Sequence, residues 1–78
     1  MTHYYFDIVE GEDRTLDDVG LELADKGAAR AHAASLLIEI ARDSVRCGNL
    51  SALSVEVRNE VGQPAFHVML RFHLSDQA

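Results

Sequence analysis

Four histidines are the side chains of this chain best suited to bind a transition metal. His67 and His73 fall on one face of a predicted strand, but six residues separate them, so about 20 Å lies between their side chains. His3 can approach only one of them from a neighbouring strand, whereas a zinc site needs four ligands. His32 falls on the polar side of a predicted helix, where we expect solvent around it. The sequence therefore predicts no metal site and no cofactor.

Carboxylates are concentrated in residues 10–25, where seven acids accompany a single base, Arg14. Rings of such oxygens bind calcium, but the Asp-x-Asp-x-Asp-Gly spacing of a calcium loop is missing. The segment Asp17–Gly20 instead predicts a turn that an aspartate begins and a glycine closes. We expect residues 10–24 to form a solvated returning loop, in which a short strand at Val19–Leu23 can pair with the first strand.

Nucleophilic side chains are few. Cys47 is the only cysteine, so neither an intrachain disulfide nor a cysteine-rich zinc site can form. It falls at the edge of the apolar side of the predicted helix, where we expect it to be buried as a small hydrophobe. Ser51 and Ser54 lack the Gly-x-Ser-x-Gly frame of a nucleophile elbow. We predict no catalytic residue and no enzymatic activity.

The length and composition of the chain indicate one small acidic domain, residues 1–78, with 47% hydrophobic residues and a formal net charge of −6. An acidic surface is repelled by phosphate backbones and anionic membranes, so we expect neither nucleic acid nor a membrane as partner. The first residues lack a basic region followed by an apolar run, which argues for the cytoplasm. Such a short chain has a small core, and without disulfides or metals good packing and self-association remain as routes to extra stability.

The clearest periodic signal predicts an amphipathic helix over residues 25–47. Asp25 is suited to be its N-cap, and Gly48 to adopt the left-handed conformation that ends a helix. The apolar arc is about 200° wide, whereas a helix on one sheet needs little more than about 100°. Leu36 and Ile38 mark its two edges. We expect the short strand before the helix to cover one edge and a second copy of the protein to cover the other.

Three further segments alternate between apolar and polar residues, as half-buried strands do. They are Tyr4–Val9, Leu53–Arg58 and Ala65–Leu74. The last is the longest and most apolar, so we expect it at the centre of the sheet, between the other two. The chain is predicted to be an α+β domain. A three- to four-stranded, largely antiparallel sheet carries one long amphipathic helix on one face, in the order β-(β)-α-β-β. Residues 75–78 are expected to be a frayed tail.

The register of the last two strands follows from their apolar rows. Pairing Val57 with Phe66 aligns these rows along the whole hairpin, whereas a slip of one residue would bury charge. That register leaves a four-residue loop, Glu60–Gln63, because a two-residue turn would require a positive φ at Val61. We expect Gly62 to be left-handed.

The sheet face away from the helix is expected to be mixed, with a modest apolar patch formed by Tyr5, Val9 and Met69. Sheet-based RNA readers stack bases on several outward aromatics, but here only one aromatic faces outward and the net charge is unfavourable. We therefore interpret this face and the helix edges as the candidate surface for protein interaction. Its residues are Leu36, Ile38, Tyr5, Met69, His67 and His73.

Several motifs follow the order of a known family. Tyr4-Tyr5-Phe6-Asp7 begins the first strand, Ile40-Ala41-Arg42-Asp43 ends the helix, and Val55-Glu56-Val57-Arg58 is followed through the turn by Pro64. With these motifs the chain resembles, over nearly its whole length, the short alphaproteobacterial proteins grouped as domain of unknown function 6894. The resemblance implies the same element order and a cytoplasmic bacterial setting. It implies no activity, and no functional residue is carried over from it.

The wide helix arc and the small core favour a non-enzymatic protein-binding or self-assembly module, in its simplest form a homodimer. The alternative is an acidic regulatory protein, similar to an antitoxin, that binds a nucleic-acid-associated protein. The sequence indicates which residues could form the interaction surface, but it does not decide between a second copy of the chain and a nucleic-acid-associated protein as the partner.

Overall fold

The computed structural model describes residues 1–76, which form a five-stranded antiparallel sheet with one helix on one face. The strands are β1 (Thr2–Glu10), β2 (Asp13–Thr15), β3 (Leu21–Leu23), β4 (Leu53–Arg58) and β5 (Pro64–Leu70), and the helix is α1 (Lys26–Arg46). Their order in the sheet is β2-β1-β4-β5, and β3 pairs with the other end of β1. The predicted α+β architecture is confirmed.

Strand β2 is the one element that the sequence pattern does not indicate. Its three residues are all polar and exposed, so no apolar alternation marks it. It forms because Gly11 adopts φ +60 and folds the chain back, which places Asp13 opposite Glu10. The short strand expected before the helix is present as β3, although it begins at Leu21 rather than Val19.

The ends of α1 agree with the predicted limits, residues 25–47. The Asp25 carboxylate accepts a 2.8 Å hydrogen bond from the backbone N–H of Ala28. This bond satisfies a donor that has no partner inside the helix. At the other end Gly48 has φ +77, and its N–H donates to the Val45 carbonyl at 3.0 Å. A left-handed glycine thus ends the helix, as the sequence predicts.

The core lies between α1 and the sheet. The helix faces the sheet with Ala29, Ala33, Leu37 and Ala41, of which Ala29 and Ala33 have no exposed surface. Val55 and Val57 of β4 face this side of the sheet and are also almost completely buried. Close packing of this kind contributes about 1.5–3 kcal/mol for each large apolar side chain that leaves water. The helix packs mainly over β4 and β5.

Strand β4 lies between β1 and β5, so the prediction that the last strand is central is wrong. Length and apolarity point to β5, but the inward residues of β4 are the almost completely buried ones, whereas those of β5 are only half-buried. In the structure Phe66 is half-buried at the flank, with Lys26 Nζ 6.0 Å from its ring centroid. The smaller, β-branched Val55 and Val57 fill the central position instead.

The β4–β5 hairpin has the predicted register, with Val57 opposite Phe66. Because β4 ends at Arg58 and β5 begins opposite it at Pro64, the connection Asn59–Gln63 has five residues rather than the predicted four, and the Asn59 N–H donates to the Gln63 carbonyl at 2.8 Å across its base. Gly62 has φ +85, as expected for the residue that closes such a turn. An irregularity in the pairing next to Val57 restores the register of the two apolar rows.

Strand β5 ends at Leu70, four residues before the predicted limit. Leu70 lies opposite Leu53, the first residue of β4, so β4 offers no partner to the residues that follow. Leu74, which the alternation places in the core, is consequently exposed. The expected tail at 75–78 is described only as far as Asp76, outside any strand or helix, and residues 77–78 lie outside the described part.

Three residues of the helix region have surroundings that differ from those expected. His32 is half-buried rather than solvated, and its ring packs edge-on against Phe6 with 4.8 Å between the centroids. Ser44 lies within the predicted apolar arc, from which its hydroxyl donates a 2.6 Å hydrogen bond to the Glu10 carboxylate. Cys47 is exposed rather than buried, because as the C-cap it follows the last turn that packs on the sheet.

Candidate functional site

The outer edge of β1 is closed by three different segments. β3 pairs with residues Thr2–Tyr4, and β2 pairs with residues Ile8–Glu10. In the gap between them the backbone N–H of Phe6 donates to the Asp17 carboxylate at 3.1 Å. A side chain thus takes the place of a strand where neither short strand reaches. This edge therefore has little capacity to pair with another chain.

Asp17 is held in place by the turn that the sequence predicts. Its Oδ1 accepts hydrogen bonds from the N–H groups of Val19 and Gly20, each at 3.0 Å. Gly20 has φ +72, and a Cβ there would lie 2.8 Å from the Tyr4 carbonyl oxygen, so only glycine fits. Burial raises the pKa of the Asp17 carboxyl, but these backbone bonds and the one from Phe6 outweigh it and hold the pKa below its ordinary value.

An ion pair between the buried Asp7 and the half-buried Arg58 joins this turn to the centre of the sheet. Arg58 of β4 donates from Nε to Oδ2 of Asp7 at 2.7 Å and from Nη2 to Oδ1 at 3.0 Å. The same Nη2 donates to the Asp17 carbonyl at 2.8 Å, and the Asp17 N–H donates to Asp7 at 2.9 Å. The hydrogen bond from Arg58 holds the pKa of Asp7 below its ordinary value. Asp7 is only 2% exposed, although the sequence pattern places it on an open face.

The sheet face away from the helix is therefore partly covered. Tyr5 is half-buried beneath Arg58, whose guanidinium carbon lies 4.8 Å from the ring centroid. The His3 ring packs against the edge of the same ring at 5.0 Å. Beside them an exposed ion pair joins Arg14 of β2 to Glu56 of β4 at 2.7 Å. These contacts bind β1, β2 and β4 to one another, and they leave Tyr5 little surface for a partner.

The histidines do not come together. The His3 Nε2 donates to the Val19 carbonyl at 2.8 Å, on the side of the sheet that carries β3. His67 lies on β5, two strands away from His3, and His73 follows the end of β5. Within residues 1–76, no group of three or more His, Cys, Asp or Glu side chains could hold a metal ion. No helix in the same residues combines the length and the apolar character that crossing a membrane requires.

The outer edge of β5 is open, in contrast to that of β1. β5 pairs with β4 on one side, and no strand of residues 1–76 lies on its other side. Natural proteins protect such edges with charged residues, but the segment Phe66–Leu70 contains no Asp, Glu, Lys or Arg. Only Pro64, at the beginning of the strand, lacks a backbone donor. The edge is therefore suited to pair with a further strand.

The side of α1 next to this edge is apolar and exposed. Ile38 is 59% exposed and Val45 is 47% exposed. They belong to a row of apolar residues with alternating spacings of three and four, the spacing of a helix-pairing seam, which also includes Ala31, Ala34 and Ala41. We call the outer edge of β5, together with Ala31, Ala34, Ile38 and Val45, the open flank.

The two edges of the apolar helix side that were identified from the sequence differ in exposure. Leu36 is half-buried against the core, in a hollow that Phe6 and Leu21 also line. This agrees with the prediction that the strand before the helix covers one edge. Ile38 lies on the opposite side of α1 and is covered by nothing within residues 1–76. Of the two candidate edges, only that of Ile38 is a surface available to a partner.

The other predicted interaction residues do not form one patch with Ile38. His67 and Met69 are exposed on β5 but face away from the helix, and the Met69 sulfur accepts a 3.3 Å contact from Arg71 Nε. His73 is exposed beyond the end of β5. Sequence reasoning missed Val45 and the backbone edge of β5. The three-and-four spacing could have revealed Val45, whereas the open edge follows only from the strand order.

The chain belongs to the family described as domain of unknown function (DUF6894), whose model matches residues 3–71. The match covers every strand and the helix, since only the first residue of β1 lies outside it. Neither a curated protein nor a solved structure matches the chain. The family description assigns no activity, so a function has to be argued from the two edges of the sheet.

Proposed function

We propose that this protein is a small non-enzymatic self-assembly module, which forms a homodimer through the open flank. The observation that carries the proposal is an unpaired, uncharged strand edge beside the exposed apolar side chains of Ile38 and Val45. Both features are costly for an isolated monomer, and one partner can cover both. We also propose a cytoplasmic bacterial setting, which the acidic composition and the family resemblance support.

Charge favours a contact between copies at this flank over other parts of the surface. Two chains of formal net charge −6 repel each other. The exposed acids Glu12, Asp13 and Asp18 lie on the β1 side of the sheet, two strands away from the open flank. The open flank itself contains no carboxylate from Phe66 to Leu70 or at its helix positions. Two copies can therefore meet here without bringing acids together.

Sedimentation equilibrium tests the proposal. We expect a dimer of about 17 kDa, twice the 8.6 kDa of the chain. The variant Ile38→Glu should remain folded and raise the dissociation constant at least about tenfold, or 1.4 kcal/mol, because a carboxylate would be buried in the contact. A monomer of 8.6 kDa at every concentration up to the millimolar range would contradict the proposal.

Two matched variants separate association from folding. Val19→Glu places the same charge at another exposed apolar position, 76% exposed and on the β1 side, and should leave the dimer intact. Leu36→Glu introduces the charge into the covered edge of α1 and should lower the free energy of unfolding by about 2 kcal/mol. If Ile38→Glu unfolds the protein as Leu36→Glu does, Ile38 has a structural role and the assignment of the flank is wrong.

The acidic β1 side supports a second candidate, a regulatory protein that binds a basic surface of a nucleic-acid-associated protein. Its exposed acids include Glu12, Asp13 and Asp18. Such a contact would be electrostatic and sensitive to salt. Capture of a basic nucleic-acid-binding protein from native lysate that weakens with salt and is lost when these three residues are changed to Asn or Gln would favour it. Unchanged capture by that variant would count against it.

A further inference from the structure

The direction of each backbone group in the sheet follows from one hydrogen bond. The N–H of Phe6 points to the outer edge of β1, where it donates to Asp17. Successive residues of a strand point their backbone groups to opposite sides, so Asp7 points to β4, where it lies opposite Glu56. Asp7 and Glu56 are therefore a hydrogen-bonded pair. Val55, the neighbour of Glu56, points the other way, towards β5.

The same alternation identifies the free backbone groups of β5. Val68 lies opposite Val55 and bonds to it, so its neighbours His67 and Met69 point their N–H and C=O groups away from β4. No strand of residues 1–76 lies on that side. The unpaired groups of the open flank are thus those of His67 and Met69.

The straight part of β5 is Phe66–Leu70, because Ala65 has no partner opposite it in β4. Its central residue is Val68. We propose that two copies pair antiparallel along this segment, with a two-fold axis at Val68. His67 of each copy then lies opposite Met69 of the other, and their outward backbone groups bond to each other. This inference rests on the self-association proposed above and specifies the arrangement of the two copies.

Other registers are less favourable. An axis at His67 would bring Pro64, which has no N–H, and the irregular residue Ala65 into the pairing. An axis at Met69 would place Phe66 opposite residue 72, beyond the end of β5. The axis at Val68 pairs every residue of the straight segment with another residue of that segment. This register also keeps the apolar rows of both copies on the helix side of the sheet. Shifting one copy by a single residue would turn its apolar row to the opposite face.

The helices fit the same arrangement. Because α1 lies mainly over β4 and β5, its axis is about one strand spacing, 4.8 Å, from the proposed two-fold axis. The two helices would therefore run antiparallel about 10 Å apart, which is the distance at which helices pack. The residues that face this contact are Ala34, Ile38 and Val45 of each copy. One partner would thus cover both the exposed apolar side of α1 and the open edge of β5.

The contact area is that of a small interface. The five paired residues Phe66–Leu70 are about 16 Å long at about 3.3 Å per residue, and the sheet and helix layers together are about 20 Å high. The flank therefore offers roughly 330 Å² per copy and about 660 Å² in total, the size of a weak, concentration-dependent contact. The continuous sheet adds backbone hydrogen bonds to this apolar contact.

Cysteine cross-linking tests the register. In a Cys47→Ser background, the single variants His67→Cys and Met69→Cys are treated with dibromobimane, a short thiol-to-thiol cross-linker, alone and as an isotopically labelled one-to-one mixture. Both positions are exposed on the face away from the helix, so the fold should tolerate the changes. We expect the mixed 67–69 product to form at least about fivefold faster than either self-product, because directly opposite positions are closer than diagonal ones. Val61→Cys, on the exposed hairpin loop, serves as the control and should not cross-link.

Each outcome decides between arrangements. Fastest self-linking of His67→Cys would move the axis to His67, and fastest self-linking of Met69→Cys would move it to Met69; either result overturns the register. A dimer by mass with no cross-link at any strand position would overturn edge pairing but leave self-association intact. A monomer by mass in the Cys47→Ser background would instead refute the proposed function itself.

Discussion

The outer edges of β1 and β5 differ in what happens to their backbone N–H and C=O groups. At β1, two short strands and the Asp17 carboxylate satisfy the edge along its length. At β5, no strand within residues 1–76 pairs with the outer edge of the straight segment Phe66–Leu70. The closed edge is held by a half-buried ion pair, a turn closed by a left-handed glycine and three chain segments. Within residues 1–76 no comparable device protects the outer edge of β5, and the second copy proposed above would cover it.

The two edges also differ in the residues that form them. The closed edge is made of polar groups that bond to each other, with Asp7, Asp17 and Arg58 at its centre. The open edge is neutral and is continued by the apolar seam of α1. The first arrangement stabilises the folded chain, and the second is the surface at which we propose that two copies associate. Changes at the two edges should therefore affect different quantities, stability at one and oligomeric state at the other.

The largest expected effect is at the closed edge. Arg58→Met should lower the free energy of unfolding by about 3 kcal/mol, because it leaves the carboxylate of Asp7 buried without its cation. Urea denaturation measures the loss. The double variant Asp7→Asn/Arg58→Met should be more stable than the single variant, since no buried charge is then left unpaired.

Arg46→Met is the control for this change. Arg46 is exposed at the end of α1, so its loss should change stability by no more than about 0.5 kcal/mol. Equal effects of Arg58→Met and Arg46→Met would show that the ion pair of Asp7 does not hold the closed edge, and the contrast between the two edges would fail.

A smaller effect compares two glycines with similar backbone conformations. Gly20 has φ +72 and Gly62 has φ +85. Gly62→Ala should cost about 1 kcal/mol for the left-handed backbone alone, since open space surrounds the position. Gly20→Ala should cost about 2 kcal/mol or more, because its Cβ would also collide with the Tyr4 carbonyl at the closed edge. Thermal unfolding of both variants would contradict the account if Gly62→Ala were the more damaging.

Much of the fold follows from local patterns in the sequence. Asp25 and Gly48 fix the ends of α1, and the apolar rows fix the register of the β4–β5 hairpin, as the structure confirms. The strand order does not follow, because alternation shows which side chains face inward but not which strand lies beside which. Alternation shows that Phe66 and Val57 both face inward, and only the fold shows that Val57 is almost fully buried while Phe66 is half-buried.

The candidate site can be predicted only in part, because it depends on contacts between segments that are remote in the sequence. The width of the apolar arc indicates that Leu36 or Ile38 meets a partner, but which of them is covered depends on where β3 folds. Asp7 looks like a surface acid because its partner, Arg58, is remote in sequence. The free edge of β5 consists of backbone groups, which no residue type reveals.

The most direct test of the account is amide hydrogen exchange by NMR, measured at about 20 µM and at about 1 mM protein. The amides of His67 and Met69 should exchange rapidly in the dilute sample and slow with concentration, as a second copy covers the edge. The amide of Phe6 already donates to Asp17, so its exchange should be slow in both samples. It should slow further only as far as dimer formation stabilises the whole fold. Exchange at His67 and Met69 that is equally fast at both concentrations would contradict the claim that β5 is closed by a second copy.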